Sequence, residues 1–502
     1  MKDVLMKKIA VLAVMVLGVL ALGGQAEAAS SFAPAANYAT GNNPRAVTTG
    51  HFNGDQFEDV AVANHSSGSV SVLMGKGDGT FTAATNYALP PVGSPTAVAA
   101  GDLNGDGQTD LAVTTDGNDY LKILFNNGNG TFSAPVNYPC HIQGCGPSDV
   151  AIFDMDGDRD ADLAVANWYH DSVTTYRNNG SGQFSVYGHF PVGNRTNEIE
   201  AADLDNDGDT DLAVGDSIGD YAFYALLNKG FGSFASPVGY GPVEDQTFDF
   251  KEDLTVGDFN NDGLKDVASS GRLSNFAGSG KIYVLLGNGN GTFGAAKIYR
   301  TGGRAYAVTA ANLDGDNVLD LAVADVDSGI VVLPGNGDGT FGSAASYGVG
   351  TNPVSVVSGS FAGPQGAGAD LAVANYGSAN VSILLNTTPS ATSCTITGTS
   401  GTDVLSGTSG RDVICGLGGA DTLKGVEGED VIKGGSGSDI LQGNLGNDSV
   451  IGGGGADRLY GGEGNDALDS KDGVIGNDRL DGGAGTDTKV TDAREASIVG
   501  FP

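Results

Sequence analysis

The stretch GDLNGDGQTDLAV, residues 101–113, combines an acidic turn with the beginning of an apolar strand. Side-chain oxygens stand at alternate positions, on Asp102, Asn104 and Asp106, and again on Asp110. A glycine between them permits a tight turn. The run that follows, DLAV, has the composition of a buried β-strand. The same pattern recurs along most of the chain, so its spacing decides the predicted fold.

Six clear copies and one eroded copy recur every 48 to 55 residues. They are HFNGDQFEDV from 51, DLNGDGQTDL from 102, DMDGDRDADL from 154, DLDNDGDTDL from 203, DFNNDGLKDV from 258, NLDGDNVLDL from 312 and the eroded SFAGPQGAGADLAVA from 360. This period is typical of a four-stranded propeller blade. Each repeat contains four short β-type runs, and no helical periodicity of useful length follows residue 28. The sequence therefore predicts an all-β fold that begins with a seven-bladed β-propeller over residues 31–387.

The start of this region supplies a strand that its end lacks. SFAPAANYATG, from residue 31, matches the fourth-strand segments TFTAATNYALP and TFSAPVNYPC, whereas the seventh repeat stops after VSILLN. We expect the first segment to complete the last blade, which would remove two exposed sheet edges.

The acidic turns have the chemistry of calcium loops. Oxygen-only ligands suit a hard cation, and a flexible ring of six or seven oxygens suits Ca²⁺ better than Mg²⁺. One acidic turn alone is more often an ordinary Asp/Asn/Gly turn, but several at one spacing favour metal binding. The candidate ligands are Asp102, Asn104, Asp106, Gln108 (through its backbone carbonyl) and Asp110; Asp154, Asp156, Asp158 and Asp162; Asp203, Asp205, Asp207 and Asp211; Asp258, Asn260, Asp262 and Asp266; and Asn312, Asp314, Asp316 and Asp320.

The copies differ in quality as metal sites. The sixth loses one charge because Asn312 stands at its first position. The first has His51 at the leading position, beside Asn53, Asp55 and Asp59, and is not among the candidate sites. The seventh has no site.

At these residues the chain resembles the FG-GAP repeats of the integrin α-subunit propeller and its bacterial relatives. The resemblance covers residues 31 to about 387 and rests on the loop D-x-[DN]-x-D-G-x-x-D, present in most repeats. It implies a propeller with calcium between the first two strands of a blade, and binding of other molecules often on the opposite face. Arg159 and Gln56 stand where the loop glycine is expected.

A second repeat, nine residues long, follows a Thr/Ser/Pro-containing linker assigned to residues 388–397. Ten copies fill residues 398–490, interrupted once by a three-residue insertion at 470–472. Position 8 is aliphatic until Lys489, and position 6 is always acidic. The position-6 residues are Asp403, Asp412, Asp421, Asp430, Asp439, Asp448, Asp457, Asp466, Asp478 and Asp487.

This pattern predicts short strands whose middle residue points inward, with two repeats in each coil. Aspartates 18 residues apart would then stack along one edge, where bridging calcium ions would convert repulsion into cross-linking. The segment resembles the RTX calcium-binding repeat, a parallel β-roll. We expect the insertion to break the register before Asp478, and residues 491–502 to form a solvated tail.

The N-terminus predicts export. Residues 1–28 carry lysines, an apolar run and Ala26-Glu27-Ala28, which are typical of a cleaved secretory signal peptide; an uncleaved anchor is the alternative. No later run is long and apolar enough to span a membrane. Four cysteines in an exported protein allow three pairings, of which Cys140–Cys145 with Cys394–Cys415 is favoured over the others and over free thiols.

Composition and motifs narrow the function. A formal net charge of -35 argues against nucleic-acid partners and favours cations. The five histidines form no zinc or catalytic spacing, so we expect a non-enzymatic protein. The predicted function is a secreted, calcium-dependent binding or adhesion module, which holds several calcium ions and has an extracellular protein or glycan as its partner. A carbohydrate-active enzyme, whose paired carboxylates the sequence leaves open, and a structural surface component are the alternatives.

The loops that follow the second strand of a blade are candidate ligand surfaces. They include Asn64-His65, the stretch NWYH at 167–170 and Asn375-Tyr376. An exposed Trp168 would stack on a sugar or contact a protein. The alternative is an aromatic residue packed between blades.

Overall fold

The computed structural model describes residues 30–91, 93–140, 143–241, 249–273, 278–316, 318–362, 368–388, 394–471, 478–491 and 497–500. Every long regular element in these ranges is a β-strand. The expected signal peptide lies outside them. Across the same ranges, no helix has the length and hydropathy that a membrane span requires. Ser30–Ser390 form one compact unit, and the nonapeptide repeats belong to a second one.

The first unit consists of seven four-stranded antiparallel sheets. In chain order its strands are β1 (Ala36–Ala39), β2 (Pro44–Gly50), β3 (Asp59–Asn64), β4 (Ser69–Leu73), β5 (Thr85–Ala88), β6 (Ser94–Gly101), β7 (Asp110–Asp116), β8 (Tyr120–Leu124), β9 (Val136–Pro139), β10 (Pro147–Phe153), β11 (Asp162–Asn167), β12 (Ser172–Asn178), β13 (Phe184–Pro191), β14 (Thr196–Ala202), β15 (Asp211–Asp216), β16 (Phe223–Leu226), β17 (Val238–Tyr240), β18 (Asp249–Gly257), β19 (Asp266–Leu273), β20 (Lys281–Leu285), β21 (Lys297–Arg300), β22 (Ala305–Ala311), β23 (Asp320–Asp325), β24 (Gly329–Leu333), β25 (Ala345–Tyr347), β26 (Pro353–Gly359), β27 (Asp370–Asn375) and β28 (Asn380–Leu384).

Blades 1 to 6 each use four consecutive strands, from β2–β5 to β22–β25. Blade 7 combines β26, β27 and β28 with β1 from the start of the propeller. Ala36 lies opposite Ile383 and Ala39 opposite Asn380 in that antiparallel pair. The predicted seven-bladed propeller and its closing seam are both confirmed.

Aliphatic side chains fill the spaces between neighbouring blades. The second strand of each blade begins with Asp and continues with small and branched apolar residues, and β3, β11, β15, β23 and β27 are buried at every position. One cluster joins Val60 and Val62 of blade 1 to Ala372 and Ile383 of blade 7. Hydrophobic packing therefore closes the ring together with the seam hydrogen bonds.

The second unit is a parallel β-solenoid with two six-stranded sheets. Its strands are β29 (Ile396–Thr397), β30 (Val404–Ser406), β31 (Val413–Gly418), β32 (Thr422–Glu427), β33 (Val431–Ser436), β34 (Ile440–Leu445), β35 (Ser449–Gly454), β36 (Arg458–Glu463), β37 (Ala467–Asp469), β38 (Arg479–Ala484), β39 (Thr488–Val490) and β40 (Ser497–Val499). The inward position-8 side chains form one buried row, as predicted: Ile414, Leu423, Ile432, Leu441, Val450, Leu459, Leu468 and Leu480.

The expectation that the insertion breaks the register is wrong. Arg458 in β36 pairs with Arg479 in β38, and Leu459 pairs with Leu480. The extra residues therefore lie between β37 and β38, since keeping Leu480 in the apolar row requires the same register on both sides. Paired strand also reaches beyond the predicted repeat, to Ile396 in the linker segment and to Ser497–Val499 in the tail.

Both favoured disulfides are present, Cys140–Cys145 in the propeller and Cys394–Cys415 at the first turn of the solenoid. Each closes a local loop, and the chain has no free cysteine.

Candidate metal centres

The acidic turns link the first and second strands of the blades. Between β6 and β7, Asp102 Oδ2 accepts the Gly107 N–H at 2.8 Å. Asn104 Oδ1 accepts the Asp106 N–H at 2.9 Å, and Asp106 Oδ1 accepts the Gln108 N–H at 2.8 Å. The predicted ligands thus hold the loop in a tight curve through local side-chain to backbone bonds.

The aspartate at the ninth loop position has a structural role that the sequence analysis missed. Asp110 is fully buried, and its carboxylate accepts the Leu103 N–H at 3.1 Å and the Asn126 N–H at 2.7 Å. It therefore ties the loop to the end of the third strand. We name this residue the clamp aspartate; it is Asp59, Asp110, Asp162, Asp211, Asp266, Asp320 or Asp370 in blades 1 to 7.

Blade 7 shows that the clamp does not depend on a metal loop. Asp370 accepts the Phe361 N–H at 2.8 Å and the Asn386 N–H at 2.7 Å, although the rest of its acidic motif is eroded. The signal was present in the sequence, because the seventh repeat loses every other acidic position and keeps this one in GADLAVA.

Burial raises the pKa of the clamp carboxyls. The pKa is raised to about 6 for Asp110, Asp162 and Asp266 and to about 7 for Asp211, mainly through desolvation, with neighbouring carboxylates adding to the shift. Backbone hydrogen bonds oppose the shift in each case. A nearby cation would favour the ionised form of these groups.

The loop of blade 4 fits a calcium ion. Carboxylate oxygens of Asp203, Asp205 and Asp211 lie within 4.8 Å of one another. Asp203 Oδ1 is buried and has no hydrogen-bond partner. A buried carboxylate oxygen that accepts no hydrogen bond is costly unless a cation balances it. Asp207 Oδ1, which accepts the Asp209 N–H at 2.9 Å, closes the turn.

The remaining loops of the first, fifth and sixth blades are curved in the same way. Asp258 Oδ2 accepts the Gly263 N–H at 2.8 Å, and Asn312 Oδ1 accepts the Gly315 N–H at 2.6 Å. Burial and the charges of Asp320 and Asp316 raise the pKa of Asp314 to about 8. In the first loop, His51 Nδ1 lies 3.1 Å from the Phe57 carbonyl oxygen.

The loop of blade 3 already contains a cation from the protein. Asp154, Asp156 and Asp162 come together as in blade 4. However, Arg177 Nε lies 2.7 Å from Asp156 Oδ2, and Arg177 Nη2 lies 3.2 Å from Asp158 Oδ2. Arg159, at the expected glycine position, has a left-handed φ of 73°.

The solenoid aspartates form two continuous ladders, one on each sheet. Asp421 Oδ1 accepts the Asp403 N–H at 2.8 Å, and each later aspartate repeats this bond with the one 18 residues before it. The ladders cross the insertion, because Asp457 N–H donates to Asp478 Oδ1 and Asp466 N–H to Asp487 Oδ1, both at 2.8 Å. The predicted stacking is confirmed.

Six of the second carboxylate oxygens in these ladders have no hydrogen-bond donor, whereas Asp403 Oδ2 and Asp412 Oδ2 each accept a backbone N–H at 2.6 Å, from Thr399 and Thr408. The Oδ2 atoms of Asp421, Asp430, Asp439, Asp448, Asp466 and Asp487 are buried without a hydrogen-bond partner. A Cβ on Gly443 would overlap both Asp448 Oδ2 and the Gly461 carbonyl oxygen, so these two oxygens face the same small space. Equivalent spaces adjoin Gly416, Gly425, Gly434, Gly461 and Gly482. This donor set of carboxylate and carbonyl oxygens fits calcium.

A cavity of about 540 Å³ opens in the propeller unit where the first strands of all seven blades contribute side chains. Each of these strands has a register shift at this level, as between Pro44 and Ala46 in β2. Such bulges re-aim side chains. The residues at the seven shifts line the cavity: Arg45, Thr96, Ser148, Asn197 with Glu198, Glu252, Tyr306 and Val354.

Three of the bulge side chains also join neighbouring blades. Thr96 Oγ1 donates to the Pro147 carbonyl at 2.8 Å, Ser148 Oγ to that of Thr196 at 2.9 Å, and Asn197 Nδ2 to that of Glu252 at 2.7 Å. Trp168 and Tyr376 from the candidate aromatic loops line the same cavity. Trp168 is half-buried with the Arg195 guanidinium 5.6 Å from its ring centroid, whereas Tyr169 is 61% exposed.

Two carboxyl groups in the cavity share a hydrogen bond. Desolvation by burial, followed by the charges of Asp149 and Asp253, raises the pKa of Glu198 well above its ordinary value. Burial also raises the pKa of Asp149, and its hydrogen bond with Glu198 opposes that shift. The pair therefore holds a proton more tightly than exposed carboxyls do. Beside it, Arg272 Nη2 forms an ion pair with Glu252 Oε1 at 2.7 Å.

Comparisons with known proteins agree with this architecture. The RTX calcium-binding nonapeptide repeat matches residues 397–432, 433–468 and 472–488. Integrin alpha-PS3 of Drosophila melanogaster is 37% identical over 100 residues, which are 18% of this chain and 9% of the integrin. The chain thus matches about a tenth of that relative's length.

Two solved structures are similar at low identity. One concerns recognition of non-reducing terminal N-acetylglucosamine by an Agrocybe aegerita lectin, with a TM-score of 0.45, 20% identity, and coverage of 66% of this chain and 86% of the lectin. The other is BBS1N in complex with ARL6DN, soaked with lead, with a TM-score of 0.49, 12% identity, and coverage of 71% and 97%.

The FG-GAP-like repeat matches five overlapping segments, residues 51–113, 102–165, 154–214, 203–269 and 258–323. Together they span more than half of the chain, from the loop of blade 1 to the second strand of blade 6. This protein therefore belongs to the FG-GAP-like repeat family and carries RTX calcium-binding repeats after its propeller.

Proposed function

We propose that this protein is a secreted, calcium-dependent binding or adhesion module. The observation that carries the proposal is the row of buried, donorless carboxylate oxygens in the solenoid, each facing a backbone carbonyl across a glycine. The FG-GAP and RTX repeats and the similarity to an integrin α-subunit support a calcium-binding, adhesion-type module. Secretion is supported by the N-terminal residues 1–28, which have the composition of a signal peptide.

Calcium has a stabilising role in this proposal. Asp203, Asp205 and Asp211 would hold an ion in blade 4, and the position-6 aspartates would hold ions along the solenoid. At a site of extracellular type, with a Kd of roughly 10⁻⁴ M, a calcium concentration of ~1 mM stabilises the fold by about 1.4 kcal/mol. Several such sites would decide whether the ligand-binding surface is ordered.

The cavity at the strand bulges is the proposed ligand surface. Structurally equivalent positions carry a guanidinium, hydroxyls, an amide, carboxyls, a phenol and an aliphatic group in different blades. Such variety on an otherwise repeated scaffold provides several kinds of contact with one extracellular protein or glycan.

The test is binding of the full-length protein to arrays of glycans and extracellular proteins, in calcium and in EGTA with magnesium. We expect retention on particular ligands in calcium alone. Trp168→Ala should weaken it, and Phe231→Ala, which removes an aromatic ring that is 79% exposed on blade 4, should not. Equal retention with EGTA would contradict calcium dependence.

A second function, carbohydrate cleavage, is favoured by one observation, the hydrogen-bonded Glu198 and Asp149 carboxyl pair. A proton held at such a pair is available for general acid catalysis. Incubation with a panel of polysaccharides separates the two functions. Product release that is lost in Glu198→Gln supports the enzyme, whereas retention without turnover supports the binding module. Self-association with calcium and no other ligand would instead indicate a structural surface component.

A further inference from the structure

Blade 3 differs from the other six blades at one position beside its acidic loop. In every blade the clamp aspartate accepts the backbone N–H of one residue at the end of the third strand. In blades 1 to 7 this donor is Gly75, Asn126, Asn178, Asn228, Gly287, Gly335 or Asn386. The residue just before that donor is apolar in six blades: Met74, Phe125, Leu227, Leu286, Pro334 and Leu385. In blade 3 it is Arg177.

Most of the apolar residues at this position pack against a turn glycine of the next blade. A Cβ on that glycine would touch the apolar side chain in five pairs: Met74 with Gly130, Phe125 with Gly182, Leu227 with Gly291, Leu286 with Gly339 and Leu385 with Gly79. Arg177 does not take this place. Met155 lies beside the corresponding Gly232 instead, at about 3.0 Å from the position of a Cβ.

The backbone of blade 3 fixes Arg177 over its own loop. β12 continues through Asn178, and Arg177 lies opposite Ser185 in the ladder with β13. The third strands of the other blades end one residue before the equivalent position, at Leu73, Leu124, Leu226, Leu285, Leu333 and Leu384. A register shift between Thr175 and Tyr176 accompanies this extension.

The guanidinium thus takes the oxygens that a calcium ion would need. Arg177 Nε is 2.7 Å from Asp156 Oδ2, a carboxylate whose side chain is only 5% exposed, and Nη2 is 3.2 Å from Asp158 Oδ2. Arginine stays protonated and offers only donors, so it cannot become a ligand. A second cation at the same oxygens would be repelled by the first.

We propose that Arg177 is the permanent counter-ion of the blade 3 loop, and that this loop takes no calcium while the loop of blade 4 does. Asp156 and Asp158 then hold a guanidinium in place of a metal. The blade 3 loop consequently needs no calcium to balance the charges of Asp156 and Asp158.

Native mass spectrometry of the full-length protein tests this by counting bound calcium ions. Arg177→Gln removes the positive charge and keeps the first three side-chain carbons, so we expect one ion more than in the wild type. Leu227→Arg is the placement control: Leu227 follows the end of β16 and packs beside Gly291, so an arginine there should not reach the blade 4 carboxylates, and we expect the wild-type ion count. An unchanged ion count in Arg177→Gln would overturn the proposal.

Thermal unfolding gives a second readout that does not depend on ion counting. In EGTA, Arg177→Gln should melt below the wild type because Asp156 and Asp158 lose their counter-ion. Calcium should raise the melting temperature of this variant by more than it raises that of the wild type. Equal calcium responses of the two proteins would also contradict the proposal. If circular dichroism shows that Leu227→Arg does not fold, the ion count and the melting temperatures of Arg177→Gln still test the proposal.

Discussion

At the scale of single residues, one aspartate per blade combines two roles. The clamp aspartate is fixed by two backbone N–H groups from different segments and, in blades 2 to 6, lies within a predicted metal loop. Outside blade 3, where Asp156 and Asp158 pair with Arg177, the other loop aspartates accept N–H groups of their own turn. Substitutions at the two kinds of position should therefore be separable by their dependence on calcium.

Asp370→Asn should destabilise the propeller equally with and without calcium. Asp370 accepts three backbone N–H groups, and an asparagine amide would direct its own N–H toward one of these donors. We expect a loss of about 1–3 kcal/mol in the free energy of unfolding. Asp205→Asn, in the blade 4 loop, is the control and should reduce only the stabilisation that calcium adds. Denaturant titration in EGTA and in calcium measures both, and an effect of Asp370→Asn confined to calcium would contradict the clamp.

Stability without calcium, and the stabilisation that calcium adds, should change with pH in opposite directions. The pKa of Asp211, Asp430 and Asp448 is raised to about 7, and that of Asp110 to about 6, above the ordinary value of 3.8. A raised pKa means that the folded state binds the proton more tightly, so this contribution is complete below about pH 4 and is lost as pH rises through 6 to 7.

In EGTA the melting temperature should therefore fall between about pH 5 and pH 8. Calcium favours the ionised carboxylates, so its stabilising effect should be small at pH 5 and large at pH 8. Differential scanning fluorimetry across this range measures both curves. A metal-free melting temperature that stays constant or rises would show that these buried carboxyls do not control stability.

At the scale of elements, the solenoid repeat needs a glycine beside each space that an aspartate Oδ2 and a backbone carbonyl oxygen share. Position 1 of the repeat is glycine in all ten copies. At Gly443 a Cβ would overlap Asp448 Oδ2 and the Gly461 carbonyl oxygen. Position 3 of the same repeats is variable, and Gly454 has no atom within 4 Å of its Cβ position. The two glycines therefore form a matched pair.

Gly443→Ala should lower calcium binding and stability, whereas Gly454→Ala should change neither. The methyl group in the first variant occupies the space between the two oxygens, so at least one ion should be lost. Native mass spectrometry gives the ion count, and thermal melting in calcium gives the stability. Equal ion counts and equal melting temperatures of the two variants would show that calcium does not bind beside Gly443.

At the scale of the whole propeller, closure depends on the first strand completing the last blade. β1 supplies four paired residues along β28, and Tyr38 packs edge-to-face on Phe81 of blade 1 at 5.5 Å between ring centroids. Without these contacts β28 would have an open edge, which invites pairing with another chain. The ring would also lose part of the apolar cluster between blades 7 and 1.

Deletion of residues 31–41 should open the ring. We expect a lower melting temperature and self-association, measured by size-exclusion chromatography with light scattering. The calcium response of the solenoid serves as the internal control and should be retained, because residues 394–471 form their own sheets. A monomeric deletion variant that melts at the wild-type temperature would show that the seam is dispensable.

The periodic features of this protein could be predicted from its amino-acid sequence alone. Seven repeats of about fifty residues, ten of nine residues, the seam strand and the oxygen-rich turns all follow from spacing and residue type along the chain. They could be predicted because each depends on residues that are close in sequence. A tight turn requires a glycine, a β-strand requires apolar residues at a regular spacing, and a hard cation requires several oxygen ligands near one another.

The roles of equivalent positions in different blades, in contrast, became visible in the folded structure. The clamp aspartates accept hydrogen bonds from residues at the end of a different strand. The bulges direct side chains from all seven blades into one cavity. The solenoid keeps its register across the insertion. Arg177 meets Asp156 only because β12 continues through it. These features depend on contacts between residues far apart in the chain, and periodicity carries no information about which blade departs from the common pattern.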